Sequence, residues 1–159
     1  SLLMELPTPA ETMFATLIGD LGLLKLSPSH FKKELKEMND EDKNVYLNHP
    51  NFSINLVLER KLPITDKIRH IVMHSHENIL GTGFPKGEKC VREKISIESQ
   101  LIQVCEMLDK KMIIKAGEMR PKIDDVKQQL INEVNNLGIL TPAFLERIRQ
   151  SWILLKIAA

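Results

Sequence analysis

Residues 74–87 read HSHENILGTGFPKG. His74, His76 and Glu77 fall within four positions, and Gly81, Gly83, Pro85 and Gly87 follow at once. Imidazole and carboxylate donors at a helix end, opening onto a glycine-rich loop, fit a metal site beside a substrate loop. They fit equally well a helix end with an ordinary C-terminal stop. The remainder of the chain has to decide between the two.

Working outward, almost every segment carries helical signals. TPAE (8–11) offers Thr8 as N-cap, Pro9 at the first helical position and Glu11 three residues after the cap. Met13, Phe14, Leu17, Ile18 and Leu21 follow at one-face spacing and predict a buried helix to about Gly22. SPSHF repeats the serine–proline signal for a short second helix from Ser27. Asn39 caps a third helix, which Pro50 is expected to break from a fourth running to about Arg60. Thr65 caps a fifth that ends in the opening stretch. After the loop, SIESQLIQVCEMLDKKM (96–112) has Ile97, Leu101, Val104, Cys105, Leu108 and Met112 at helical spacing. Two more helices are predicted, one over about Lys122–Leu137 stopped by Gly138, the other from Thr141-Pro142 onward. No segment alternates with the period of a strand. The reading is one all-α domain over residues 1–159, with an irregular stretch at about 79–95 long enough for a functional loop.

Composition narrows the function classes. The chain has 159 residues, 43% apolar and 27% charged, with a formal net charge of +1. That balance suits a globular domain and gives no electrostatic case for nucleic acid or an anionic membrane surface. Aromatics are only 4%, too few for a base-stacking platform. Cys90 and Cys105 form no metal-type spacing and suit a reduced, cytoplasmic protein. No apolar run reaches the roughly 18–20 residues needed to span a bilayer. The start, SLLMELPTPAE, has no initiator Met and no secretion signal, so a piece of a longer protein is expected.

SHENILGTGFP (75–85) resembles the signature HHExxDGxGYP of the HD-GYP family without a gap. Other segments agree in order. TLIGDLGLLKLS (16–27) is similar to the family's LLHDIGKxxIP helix, and NDEDKNVYLNHPNFSINLVLE (39–59) to its TxEExxxIxxHPxxGxxLL segment. ISIESQLIQVCEMLD (95–109) resembles IPLxARILAVADVFD, and LGILTPAFLERI (137–148) the closing GxxFDPxxVxxF helix. The resemblance implies an HD-domain-like helical bundle of about seven helices with a GYP-type loop. It also implies that the family's first helix, or an upstream regulatory domain, lies outside this chain.

The family hydrolyses the bacterial second messenger cyclic di-GMP with metal-activated water. Carried over position by position, the resemblance leaves four candidate metal ligands: Asp20, His49, His76 and Glu106. The other chemical positions differ. Gly19 stands for the first residue of the HD dyad, Ser75 for the first of the paired histidines, and Leu23 and Gln100 for phosphate-facing Lys and Arg. Leu80 and Phe84 replace the loop's Asp and Tyr, and Lys115 roughly matches a later phosphate-facing Arg. Gly81, Thr82, Gly83, Phe84, Pro85, Lys86 and Gly87 keep the loop itself.

Loss at the chemical positions beside a retained loop points to a catalytically degenerate module with no cofactor. Such a module would act through the loop on another signalling protein, for instance a diguanylate cyclase domain. Two other functions stay open. One is a metal-dependent cyclic di-GMP phosphodiesterase with a reduced Fe or Mn site. The other is a receptor that binds cyclic di-GMP without cleaving it, which Leu23 and Gln100 disfavour. Phe84 itself divides evenly between packing inward and facing a partner. His70 and His74, at i and i+4, read as helix-surface residues rather than a separate metal site.

Overall fold

The computed structural model describes residues 6–28, 34–78, 80–86, 95–113, 119, 121–138 and 140–157. Among these residues there are six α-helices and no strand. They are α1 (Pro9–Gly19), α2 (Asp40–Glu59), α3 (Asp66–His74), α4 (Ile97–Met112), α5 (Ile123–Leu137) and α6 (Pro142–Ile157). Short 3₁₀ turns at Leu21–Lys25 and Leu35–Glu37 lie between α1 and α2. Most of the second helix expected from Ser27 lies outside the described residues.

The helices bury two apolar clusters that share α4. Ala15, Ile18, Ile54, Val57, Ile68, Ile71, Val72 and Ile102 bring α1, α2 and α3 against one side of α4. Val104, Leu130, Val134, Leu140, Phe144 and Ile148 bring α5 and α6 against the other. The site described below sits within the first half, where α1, α2 and the end of α3 meet.

Three expectations change in the structure. First, α1 ends at Gly19 and buries Thr12, Ala15 and Ile18, while Met13 and Leu17 are 69% and 74% exposed. Apolar residues lie on more than one side of this helix, and small Ala15 marks the side where neighbours approach closely. Second, Thr8 forms no capping box. Its hydroxyl donates instead to Glu98 Oε1 at 2.7 Å, and Glu11 accepts from the Thr65 hydroxyl at 2.9 Å. Glu98 is 1% exposed and is paired with Lys67 at 3.0 Å. A buried carboxylate is a stronger claim on the threonine than a local amide.

Third, Pro50 does not break the chain into two helices. α2 runs through it without interruption. An internal proline removes one backbone hydrogen bond and crowds the carbonyl four residues back, at a cost of about 3 kcal/mol. That carbonyl belongs to Tyr46, and it receives the His49 Nδ1–H at 2.6 Å. Burial of Pro50, Ser53, Ile54 and Val57 offsets the remaining cost. The predicted stop at the other end of the chain holds, because Gly138 closes α5 in the left-handed region, at φ 58°.

Candidate metal centre

Asp20 is the residue after α1, and its position is set by how the Leu21–Lys25 turn lies on α2. Gly22 is buried directly against the backbone at His49, where a Cβ would stand 2.1 Å from the His49 carbonyl oxygen. Ser53 clamps the same contact. Its hydroxyl donates to Gly19 O at 2.5 Å and accepts from the Gly22 amide at 2.7 Å. The carboxylate of Asp20 is thereby placed with Oδ1 3.3 Å from His49 Nε2.

His76 arrives from the other direction, just beyond the end of α3. Its carbonyl accepts from the Phe84 amide at 3.1 Å, so the glycine loop folds back over it. Gly83 makes that fold possible, since a Cβ there would meet His76 O at 2.4 Å and Glu77 Cα at 2.6 Å. The buried Glu77 carboxylate accepts the Lys86 amide at 2.8 Å, and Asn78 Oδ1 accepts the amides of Leu80 and Thr82 at 3.0 and 3.2 Å. With the loop held at both ends, His76 Nε2 lies 3.2 Å from His49 Nε2.

Asp20, His49 and His76 thus offer three donor atoms all within 4.8 Å of one another. A single first-row ion with bonds of about 2.0–2.2 Å needs neighbouring donors roughly 3.0–3.4 Å apart. The two short edges, at 3.2 and 3.3 Å, meet that requirement. The donor set of two imidazoles and one carboxylate suits Fe, Mn and Zn.

Glu106 stands elsewhere. Its Oε2 is 3.5 Å from Nδ1 of His76, the ring nitrogen that does not face His49. The expected fourth ligand therefore meets the second nitrogen of a candidate ligand, where a carboxylate fixes an imidazole's orientation. Burial and the nearby charge of Asp20 push the Glu106 carboxyl up to about 7. Burial and the neighbouring His49 push His76 down to about 3, leaving it neutral at physiological pH, as a ligand must be. The neighbouring His49 imidazole, 3.3 Å away, holds Asp20 below the usual carboxylate range.

One prediction follows from Glu106. Its carboxyl is harder to ionise folded than unfolded, so in the metal-free protein it costs nothing below pH 4.5. The cost appears as pH rises toward about 7 and is then constant. Glu106→Gln is expected to raise metal-free stability by about 2 kcal/mol at pH 8 and hardly at all near pH 4.5. Urea unfolding at the two pH values checks this, and equal shifts at both would contradict it.

Phe84 packs inward. Its ring stacks on His76 at 4.5 Å between centroids and meets the His49 and Tyr46 rings at 5.6 and 5.7 Å. Among the other loop positions, Gly81 takes φ 72°, Leu80 is 47% exposed, and Thr82 and Lys86 face solvent. Gly87 and Lys115 lie outside the described residues.

The altered positions also have structural roles. Ser75 is buried and donates to Val72 O at 2.9 Å. Gln100 is buried, with its Nε2–H on Ile95 O at 3.0 Å and its Oε1 accepting the Thr141 amide at 2.8 Å. It staples α4 to the start of α6 and contributes no charge. At Gly19 a Cβ would have nothing within 4 Å. His74 bonds through Nδ1 to His70 O and stacks on the His70 ring, so it joins no metal group.

Sequence reasoning missed Gly22, Ser53 and Lys110. Ser53 lies four residues after His49, and this i,i+4 spacing was the available signal for it. Lys110 lines a cavity of about 250 Å³ with His76, Phe84 and Glu106, and its charge is felt by Asp20, His76 and Glu106.

The helices and the imidazole–carboxylate cluster agree with the comparison to known families. The chain belongs to the HD domain family, which matches residues 1–122. Over 108 residues it is 27% identical to the cyclic di-GMP phosphodiesterase PA4108 of Pseudomonas aeruginosa, a match covering 67% of this chain and 25% of that protein. The matched part thus spans a quarter of its relative's length. Among the described residues no helix is long and apolar enough to cross a membrane.

Proposed function

We propose that this HD domain serves cyclic di-GMP signalling by holding one divalent ion, Fe or Mn, on Asp20, His49 and His76, and that it binds and slowly hydrolyses the dinucleotide. The observation that carries this reading is the convergence of three donor atoms from three separate segments within 4.8 Å. Such convergence costs desolvation and order that an idle cluster does not require. A divalent ion there supplies Lewis acidity for phosphodiester cleavage. Asp20, with its side chain 64% exposed, keeps the site open to solvent, and Lys110 provides positive charge on the cavity wall where Leu23 and Gln100 provide none.

The test is the metal content of protein expressed in iron- and manganese-supplemented medium, followed by a cyclic di-GMP hydrolysis assay. One ion per chain with slow turnover supports the proposal. Well-folded protein with no metal overturns it.

The second reading is a catalytically silent module that binds another signalling protein, such as a diguanylate cyclase domain, through the loop. It is favoured by the structural employment of Ser75 and Gln100 and by half-exposed Leu80 at the loop. Since Phe84 packs on His76, partner binding on this reading would rest on Leu80, Thr82 and Lys86. A pull-down unaffected by Leu80→Asp would remove it.

A further inference from the structure

We propose that Pro50 is a positioning residue for the metal centre, acting by selecting the tautomer of His49; the inference rests on the single-ion reading above. In an uninterrupted helix the amide of residue 50 would donate to the carbonyl of Tyr46, four residues back. Proline has no N–H to give. The Tyr46 carbonyl is bound instead by His49 Nδ1 at 2.6 Å, the shortest contact the imidazole makes.

A neutral imidazole has one N–H and one lone pair. Spending the proton on Tyr46 O leaves the lone pair on Nε2, and Nε2 is the atom that faces Asp20 Oδ1 at 3.3 Å and His76 Nε2 at 3.2 Å. The ring is also confined, being 2% exposed and in edge contact with Tyr46, His76 and Phe84. It cannot readily turn to exchange its nitrogens. A helix-breaking residue inside α2 thus serves the site: it frees one acceptor, and that acceptor sets which nitrogen of the adjacent histidine can bind a metal.

Pro50→Ala separates this role from a purely structural one. The alanine's N–H would reclaim Tyr46 O and compete with His49 Nδ1–H. Unfolding stability in urea is expected to rise, because an internal helix bond is restored. Zinc affinity of the same variant is expected to fall by about tenfold, as for other groups that orient a metal ligand. Imidazole nitrogen NMR on the metal-free chain, recorded at about pH 9, above the ordinary histidine range, reads the tautomer directly. Wild type should show His49 mainly protonated on Nδ1, and the variant a mixture. His49 protonated on Nε2 in the wild type, or an unchanged tautomer in the variant, would overturn the inference, even if affinity falls. If wild type binds no zinc, the single-ion reading fails, yet the NMR result still decides what Pro50 does to His49.

Discussion

Gly22→Ala is expected to destabilise the domain by roughly 3 kcal/mol or more, the largest effect of any single methyl group we foresee. The added Cβ would lie 2.1 Å from the His49 carbonyl oxygen and 2.9 Å from both the His49 carbonyl carbon and Phe52 Cβ. Two of these three atoms are backbone inside α2, which cannot swing aside as a side chain could. Relief requires the Leu21–Lys25 turn to lift off α2, which would break the Gly22 amide to Ser53 bond and the Ser53 to Gly19 bond together. The same movement would carry Asp20 away from His49, so any variant that still folds should have lost metal affinity too. Gly19→Ala, three residues earlier, is the control. Nothing lies within 4 Å of its Cβ, and as the last residue of α1 it should be neutral or stabilising by up to about 1 kcal/mol. Urea unfolding should therefore shift to a lower midpoint for Gly22→Ala and not for Gly19→Ala. A Gly22→Ala midpoint equal to wild type would show that the close contact is not kept in solution.

Removing a donor should abolish metal binding while sparing the fold. Asp20→Ala and His76→Ala are each expected to weaken binding by at least about 100-fold, since each takes one of the three donors that converge among the described residues. The two differ in collateral cost. The Asp20 side chain is 64% exposed and should be lost with little change in metal-free stability. His76 is 13% exposed and stacked under Phe84, so its loss leaves a small cavity and costs about 1–2 kcal/mol. Elemental analysis of purified variants, with unfolding curves on the metal-free chains, distinguishes a lost ligand from a lost fold. Wild-type metal content in both variants would mean that any bound ion sits elsewhere.

The resemblance in residues 75–85, together with the segments that agree in order along the rest of the chain, reached the family, because helix ends, glycines and prolines at fixed offsets are features of local backbone. The same locality explains the errors. Pro50 reads as a break when only its own helix is considered, and the burial that holds α2 together comes from α1 and α3. Thr8 holds the N-cap position as expected, but Glu98, 90 residues away, takes the hydroxyl that a capping box would use. Glu106, the fourth candidate ligand by position, lies in the structure with its carboxylate 3.5 Å from the His76 ring at Nδ1.

The sequence by itself determined that this chain is all-helical and of the HD kind, and it offered Asp20, His49, His76 and Glu106 as candidate ligands while pointing to a module without a cofactor. These are properties of periodicity, caps and residue identity, which act over a few positions. Only the tertiary structure decided that the three donors converge within 4.8 Å, that Phe84 packs on the two histidines, and that Gly22 and Ser53 hold the contact shut. Those facts depend on where helices cross, and crossing is set by burial and close approach between residues far apart in the chain.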